Sequence, residues 1–112
     1  MIKTRQDLIA RSLLKLGAIG AGQAPSAEDA ADVDASLDPM MDDLAERDIY
    51  VWGDPDNIDS AAFEHLAELL ANTNARIFGK SPDESIRQLA ERRLRLLDRQ
   101  QLSGQRLKTE YF

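Results

Sequence analysis

Cysteine is absent from the 112-residue chain, which excludes disulfides and every thiolate metal site. Histidine occurs once, at His65, without the HExxH spacing or the second imidazole that a zinc site requires. No apolar run approaches the ~18–20 residues that span a bilayer. The opening Met1-Ile2-Lys3-Thr4-Arg5 also lacks the apolar stretch of a secretory signal. A soluble protein of an intracellular compartment, with no membrane partner, is therefore expected. The glycines at 17, 20 and 22 follow a helix-like segment rather than a strand, so they do not form a phosphate-binding loop. Aromatics make up only 5% of residues. None interleaves with arginines as a base-stacking platform, and specific DNA reading is not expected.

What the chain does contain is charge, sorted by position. Residues 1–20 carry four basic and one acidic side chain, residues 21–75 one basic and fourteen acidic, and residues 76–112 nine basic and five acidic. The net charge of −6 thus conceals segments of +3, −13 and +4. An acidic middle between basic ends suits head-to-tail contact between copies of one protein. It equally suits helices that simply solvate themselves.

The periodicity predicts an all-α protein, a small bundle of about four helices. At 112 residues it is long enough to bury roughly 65% of its unfolded surface. Thr4 with Asp7 three residues on forms a capping-box variant, and that first helix closes at Leu16-Gly17. Ser26 caps a second helix running to about Arg47, with Ala30, Val33, Leu37, Met40 or Met41, and Leu44 in one stripe. Its apolar phase continues through Pro39, which predicts one bent helix rather than two. Tyr50-Val51-Trp52 is β-prone, either an extended arm or half a small hairpin. Asp59 caps a third helix, with Ile58 placed to staple against Phe63, and Gly79 ends it. Ser81-Pro82-Asp83-Glu84 reads as cap, first-turn proline and capping-box glutamate of a fourth. Its apolar arc is Ile86, Leu89, Ala90, Leu94, Leu96 and Leu97, and the pattern fades after Gln101.

No constellation for catalysis emerges, so the chain is not expected to be an enzyme, and no cofactor or metal is expected. Glu64 and Glu68 share a face one turn apart, as acids of any solvated helix do. Asp54 to Asp59 lacks the glycine and terminal glutamate of a calcium loop. His65 is expected at the surface or packed at an interface. Asn74 and Arg93 each interrupt an apolar stripe, so each should be paired or lie at an interface. Arg93 either snorkels to the domain edge or contacts the acidic middle of another subunit. Arg92, Arg93, Asp42 and Asp43 are the candidate subunit contacts. Residues 103–112 combine Ser-Gly with Arg106, Leu107, Lys108, Tyr111 and Phe112, a tail suited to fold on binding or to fold back on its own bundle.

Ile2-Lys3-Thr4-Arg5-Gln6-Asp7-Leu8-Ile9 with Leu13-Leu14-Lys15-Leu16-Gly17 resembles the first helix of the phage head-to-tail adaptors, the connector or tail accessory factor family. The likeness continues through the acidic helix with Met40-Met41-Asp42-Asp43-Leu44. It also takes in the run Ile58-Asp59, Phe63, Leu66, Leu69-Leu70-Ala71, Ala75, Phe78-Gly79. It covers roughly residues 2–80. The resemblance implies a virion protein at the head–tail interface, made in the host cytoplasm. Its protomers would form a twelve-membered ring under the portal protein and receive a tail-side component (nozzle, stopper or tail tube protein). Double-stranded DNA would pass through without specific reading. Residues 1–102 would be the adaptor domain and 103–112 the docking tail, with Arg106, Leu107, Lys108, Tyr111 and Phe112 on the portal. The alternative is a small acidic helical regulator that binds a host protein by imitating DNA charge.

Overall fold

The computed structural model describes residues 3–20 and 22–110, with side chains described as far as Leu97. The chain is an all-α bundle of four helices with an extended C-terminal tail: α1 (Arg5–Lys15), α2 (Ala27–Glu46), α3 (Ser60–Thr73) and α4 (Glu84–Glu110). Helix α3 is central, packing against α1, α2 and α4, while α1 also packs on α2. Leu8, Ile9, Leu13, Val33, Leu37, Leu44, Ile49, Leu66, Leu70 and Leu94 are all but completely removed from solvent and form one core.

Helix starts follow local chemistry. Thr4 Oγ1 accepts from the Asp7 amide at 3.2 Å, and the Thr4 amide donates to Asp7 Oδ2 at 3.0 Å. Two otherwise orphaned donors are satisfied by that exchange. Ser26 Oγ accepts from the Asp29 amide at 3.2 Å and Asp59 Oδ1 from the Ala61 amide at 3.0 Å. Ile58 and Phe63, the expected staple pair, are both buried in the one core. Helix α2 runs unbroken through Pro39. That proline is exposed, as is Ala35, whose carbonyl loses its donor, so water can take the vacated bond.

Three expectations need correction. Helix α3 does not reach Gly79: Asn74 ends it, and Ala75–Phe78 form a 3-10 turn closed by Gly79 at φ +74°. Helix α4 starts at Glu84 rather than beside Ser81, because Asp83 is the cap. Asp83 Oδ1 accepts from the Ser85 and Ile86 amides at 2.9 and 3.3 Å. Asn72 of α3 fixes that start, accepting from the Asp83 amide at 2.6 Å and donating to its carbonyl at 3.1 Å. Finally, the backbone remains helical across Ser103 and Gly104 to Glu110, so the extended tail is carried by helix. One glycine costs a helix only about 1 kcal/mol against alanine, and Gln105 to Lys108 are all good helix formers.

Tyr50-Val51-Trp52 forms no strand. It is an arm with Tyr50 buried, Val51 exposed and Trp52 packed on the core. The described residues hold a single β-bridge, where the Ile58 amide donates to the Lys3 carbonyl at 2.7 Å.

Candidate assembly surfaces

The charges divide into those consumed inside the fold and those left outward. Arg5 of α1 reaches α2, with Nε 2.6 Å from Asp34 Oδ1 and Nη1 2.8 Å from Asp38 Oδ1. Its hydrogen bond holds the Asp38 carboxyl below the usual carboxylate range. Arg11 and Lys15 hold Glu64 of α3 at 2.9 and 3.1 Å, and Lys15 also lies 3.9 Å from Glu68. Burial raises the Glu64 pKa, but hydrogen bonds from Lys15 and Arg11 outweigh it and leave it lowered. The two carboxylates that share a face are thus structural partners of α1.

Glu91 joins the last turn of α2 to α4. It accepts from Arg47 at 3.1 and 3.0 Å and from Arg87 at 2.8 Å. Arg47 is also bound to Asp43, and Arg87 to Glu84. Burial pushes the Glu91 pKa up, but Arg47 and Arg87 bring it below the ordinary value. These groups line a cleft of about 580 Å³, together with Met40, Leu69 and Arg76. Its carboxylates and guanidiniums largely neutralise one another.

Outside these networks, no ion pair occupies Glu28, Asp29, Asp32, Asp42 or Glu46 of α2 among the described residues. The same holds for Arg92, Arg93 and Arg95 of α4. Of the four candidate subunit contacts, Asp42, Arg92 and Arg93 are therefore exposed and available, while Asp43 is bound to Arg47. Arg93 is not buried in an apolar arc, because that arc is split. Ala90 and Leu94 face the core, whereas Ile86, Leu89 and Leu96 are 43%, 50% and 49% exposed. The signal was present in the sequence. At ~100° per residue the arc from Leu96 to Leu94 spans about 160°, wider than the ~100° stripe one packed face needs.

Asn74 is buried as expected, and it is paired: its amide donates to Ser36 Oγ at 2.8 Å and to the Leu70 carbonyl at 2.9 Å. His65 is half-buried on α3. Among the described residues no group of three His, Cys, Asp or Glu side chains could hold a metal ion. The acids of the 54–59 turn serve the backbone, Asp54 accepting from the Asp56 amide at 2.9 Å and Asp59 capping α3. No helix among the described residues is long and apolar enough to cross a membrane. Of the expected portal-binding residues, Arg106, Leu107 and Lys108 fall within the helical backbone of α4, with side chains outside the described set. Tyr111 and Phe112 lie outside the described residues altogether.

Comparison of this chain with protein-family models, with curated proteins and with solved structures finds no match.

Proposed function

We propose that the chain is a structural head-to-tail adaptor of a phage or phage-like particle, a protomer of a ring beneath the portal through which DNA passes and to which tail components attach. The observation that carries this reading is α4. Its 27 residues extend about 40 Å at 1.5 Å per residue, in a molecule whose longest dimension is 52 Å. Its first half packs on α3, and Leu97 is the last packed side chain described. A helix that outruns its bundle and keeps leucines and arginines outward offers a larger partner a ready groove-filling element. The acidic side of α2 supports the same reading, since an acidic lining would keep DNA from sticking within the ~8 Å screening length.

A second reading, the DNA-mimicking regulator, draws support from Glu28, Asp32, Asp42 and Glu46, which are exposed on α2. Electron microscopy of the chain mixed with its cognate portal separates the two. Rings on the portal are expected of an adaptor; no ring, with the chain remaining a monomer or dimer, would end that reading in favour of the regulator.

A further inference from the structure

We propose that the outer face of α4 docks on the outer face of α2 in a second copy of this chain. The α4 face is a mixed stripe in which Leu89 and Leu96 lie beside Arg92 and Arg93, with Ile86 at its start, all exposed. Three large apolar side chains in one stripe favour a partner, because covering each removes tens of Å² of hydrocarbon from water. The arginines decide which partner. Two α4 faces laid together would set Arg92 and Arg93 against their own copies, and like charges in contact oppose association. The complement must be acidic and low in relief.

The same chain presents that surface. Glu28, Asp32, Asp42 and Glu46 lie on one side of α2, within about 80° of arc, all exposed and none in an ion pair among the described residues. Between them stand Ala35 and Pro39, also exposed and short enough for a leucine to lie across. From Asp32 to Asp42 is about 15 Å along α2, and from Ile86 to Leu96 is the same along α4. Charge sign, length and relief therefore correspond between two faces that both point to solvent in one chain. Because donor and acceptor faces differ, each copy that uses one keeps the other free. Such heterologous contacts continue into a ring or a filament. The contact deepens the adaptor reading and rests on it for the closed ring beneath a portal, whereas contact between two copies needs no portal.

The absence of cysteine makes the contact directly testable. Full-length Ala35→Cys and Leu89→Cys variants, mixed in equal amounts and mildly oxidised, should give the mixed 35–89 dimer several-fold above either like dimer. The yield should fall as salt rises. Arg92→Glu with Arg93→Glu should lower that yield about tenfold, and Asp32→Arg with Asp42→Arg on the other partner should restore it. Dominant 89–89 dimers would show α4 pairing with itself and overturn the proposal. So would a 35–89 yield no higher than that of Leu89→Cys with exposed Ala61→Cys on α3. Rings on the portal without the 35–89 link would sink this contact and leave the adaptor reading standing; the link without portal binding would do the reverse.

Discussion

At the scale of single residues, Asn74 and Arg93 show how similar sequence positions part ways. Both are polar residues within apolar stripes, but Asn74 is 1% exposed and donates twice, whereas Arg93 sits in solvent. The described residues contain no buried side-chain nitrogen or oxygen without a partner, so removing Asn74 breaks a completed arrangement. Asn74→Ala should destabilise the fold by about 1–3 kcal/mol, from the two side-chain hydrogen bonds lost to Ser36 Oγ and the Leu70 carbonyl and the cavity left behind. Arg93→Ala should shift stability by less than about 0.5 kcal/mol, as exposed substitutions do. Urea unfolding of the two variants checks the contrast, and equal losses would contradict the burial difference. Periodicity makes both positions conspicuous, and the width of the α4 arc signals that part of it stays exposed, but not on which side of the split Arg93 falls. That depended on how far around α4 the contact with α3 extends.

Between elements, the Arg47–Glu91–Arg87 cluster fastens the end of α2 to α4. The Glu91 pKa is lower in the folded chain than its unfolded value of about 4.3. The stabilisation it gives is thus complete above that value and fades as pH falls through the lower folded one. Glu91→Gln should cost about 1 kcal/mol at pH 7 and flatten the loss of stability between about pH 5 and pH 3. Thermal melts across that range provide the measurement, and an unchanged acid slope would show that other carboxylates govern it. Pro39 lies on the exposed face of α2, where a proline costs a helix interior up to about 3 kcal/mol. Pro39→Ala should therefore raise stability by about 1–3 kcal/mol in the same melts, and a fall would mean that the proline fits its site better than the missing bond suggests. Helix caps at Thr4, Ser26 and Asp59 were legible because capping is local chemistry. The start of α4 was not, since Asn72 from another helix selects Asp83 over Ser81. Nor was the 3-10 turn after Asn74, whose side chain is turned inward to Ser36, thirty-eight residues away in sequence.

For the whole molecule, the segmented charge resolves into two parts. One fastens α1 to α2 and α3 through Arg5, Arg11 and Lys15, and α2 to α4 through Arg47, Glu91 and Arg87; the other remains outward on α2 and α4. The linear sequence gave the balance of each segment but not this division, because pairing depends on which helices become neighbours. The same reasoning separates the C-terminal residues from the bundle. The core ends on α4 with Ala90 and Leu94, and Leu97 is half-buried against it. Residues 103–112 begin six positions beyond Leu97, about 9 Å further along a helix rising 1.5 Å per residue. Their removal should leave the core, the Glu91 cluster and the Asn74 contacts in place. Deleting 103–112 should therefore change the melting temperature by less than about 4 °C, the shift that corresponds to roughly 1 kcal/mol in a domain of this size. Portal binding should fall by at least about tenfold, because Leu107, Tyr111 and Phe112 supply the large apolar anchors of the proposed docking tail. Paired measurements of melting and of co-sedimentation with portal decide the matter. A deletion that destabilises the chain and leaves portal binding intact would place these residues in the bundle and take the docking role away from them.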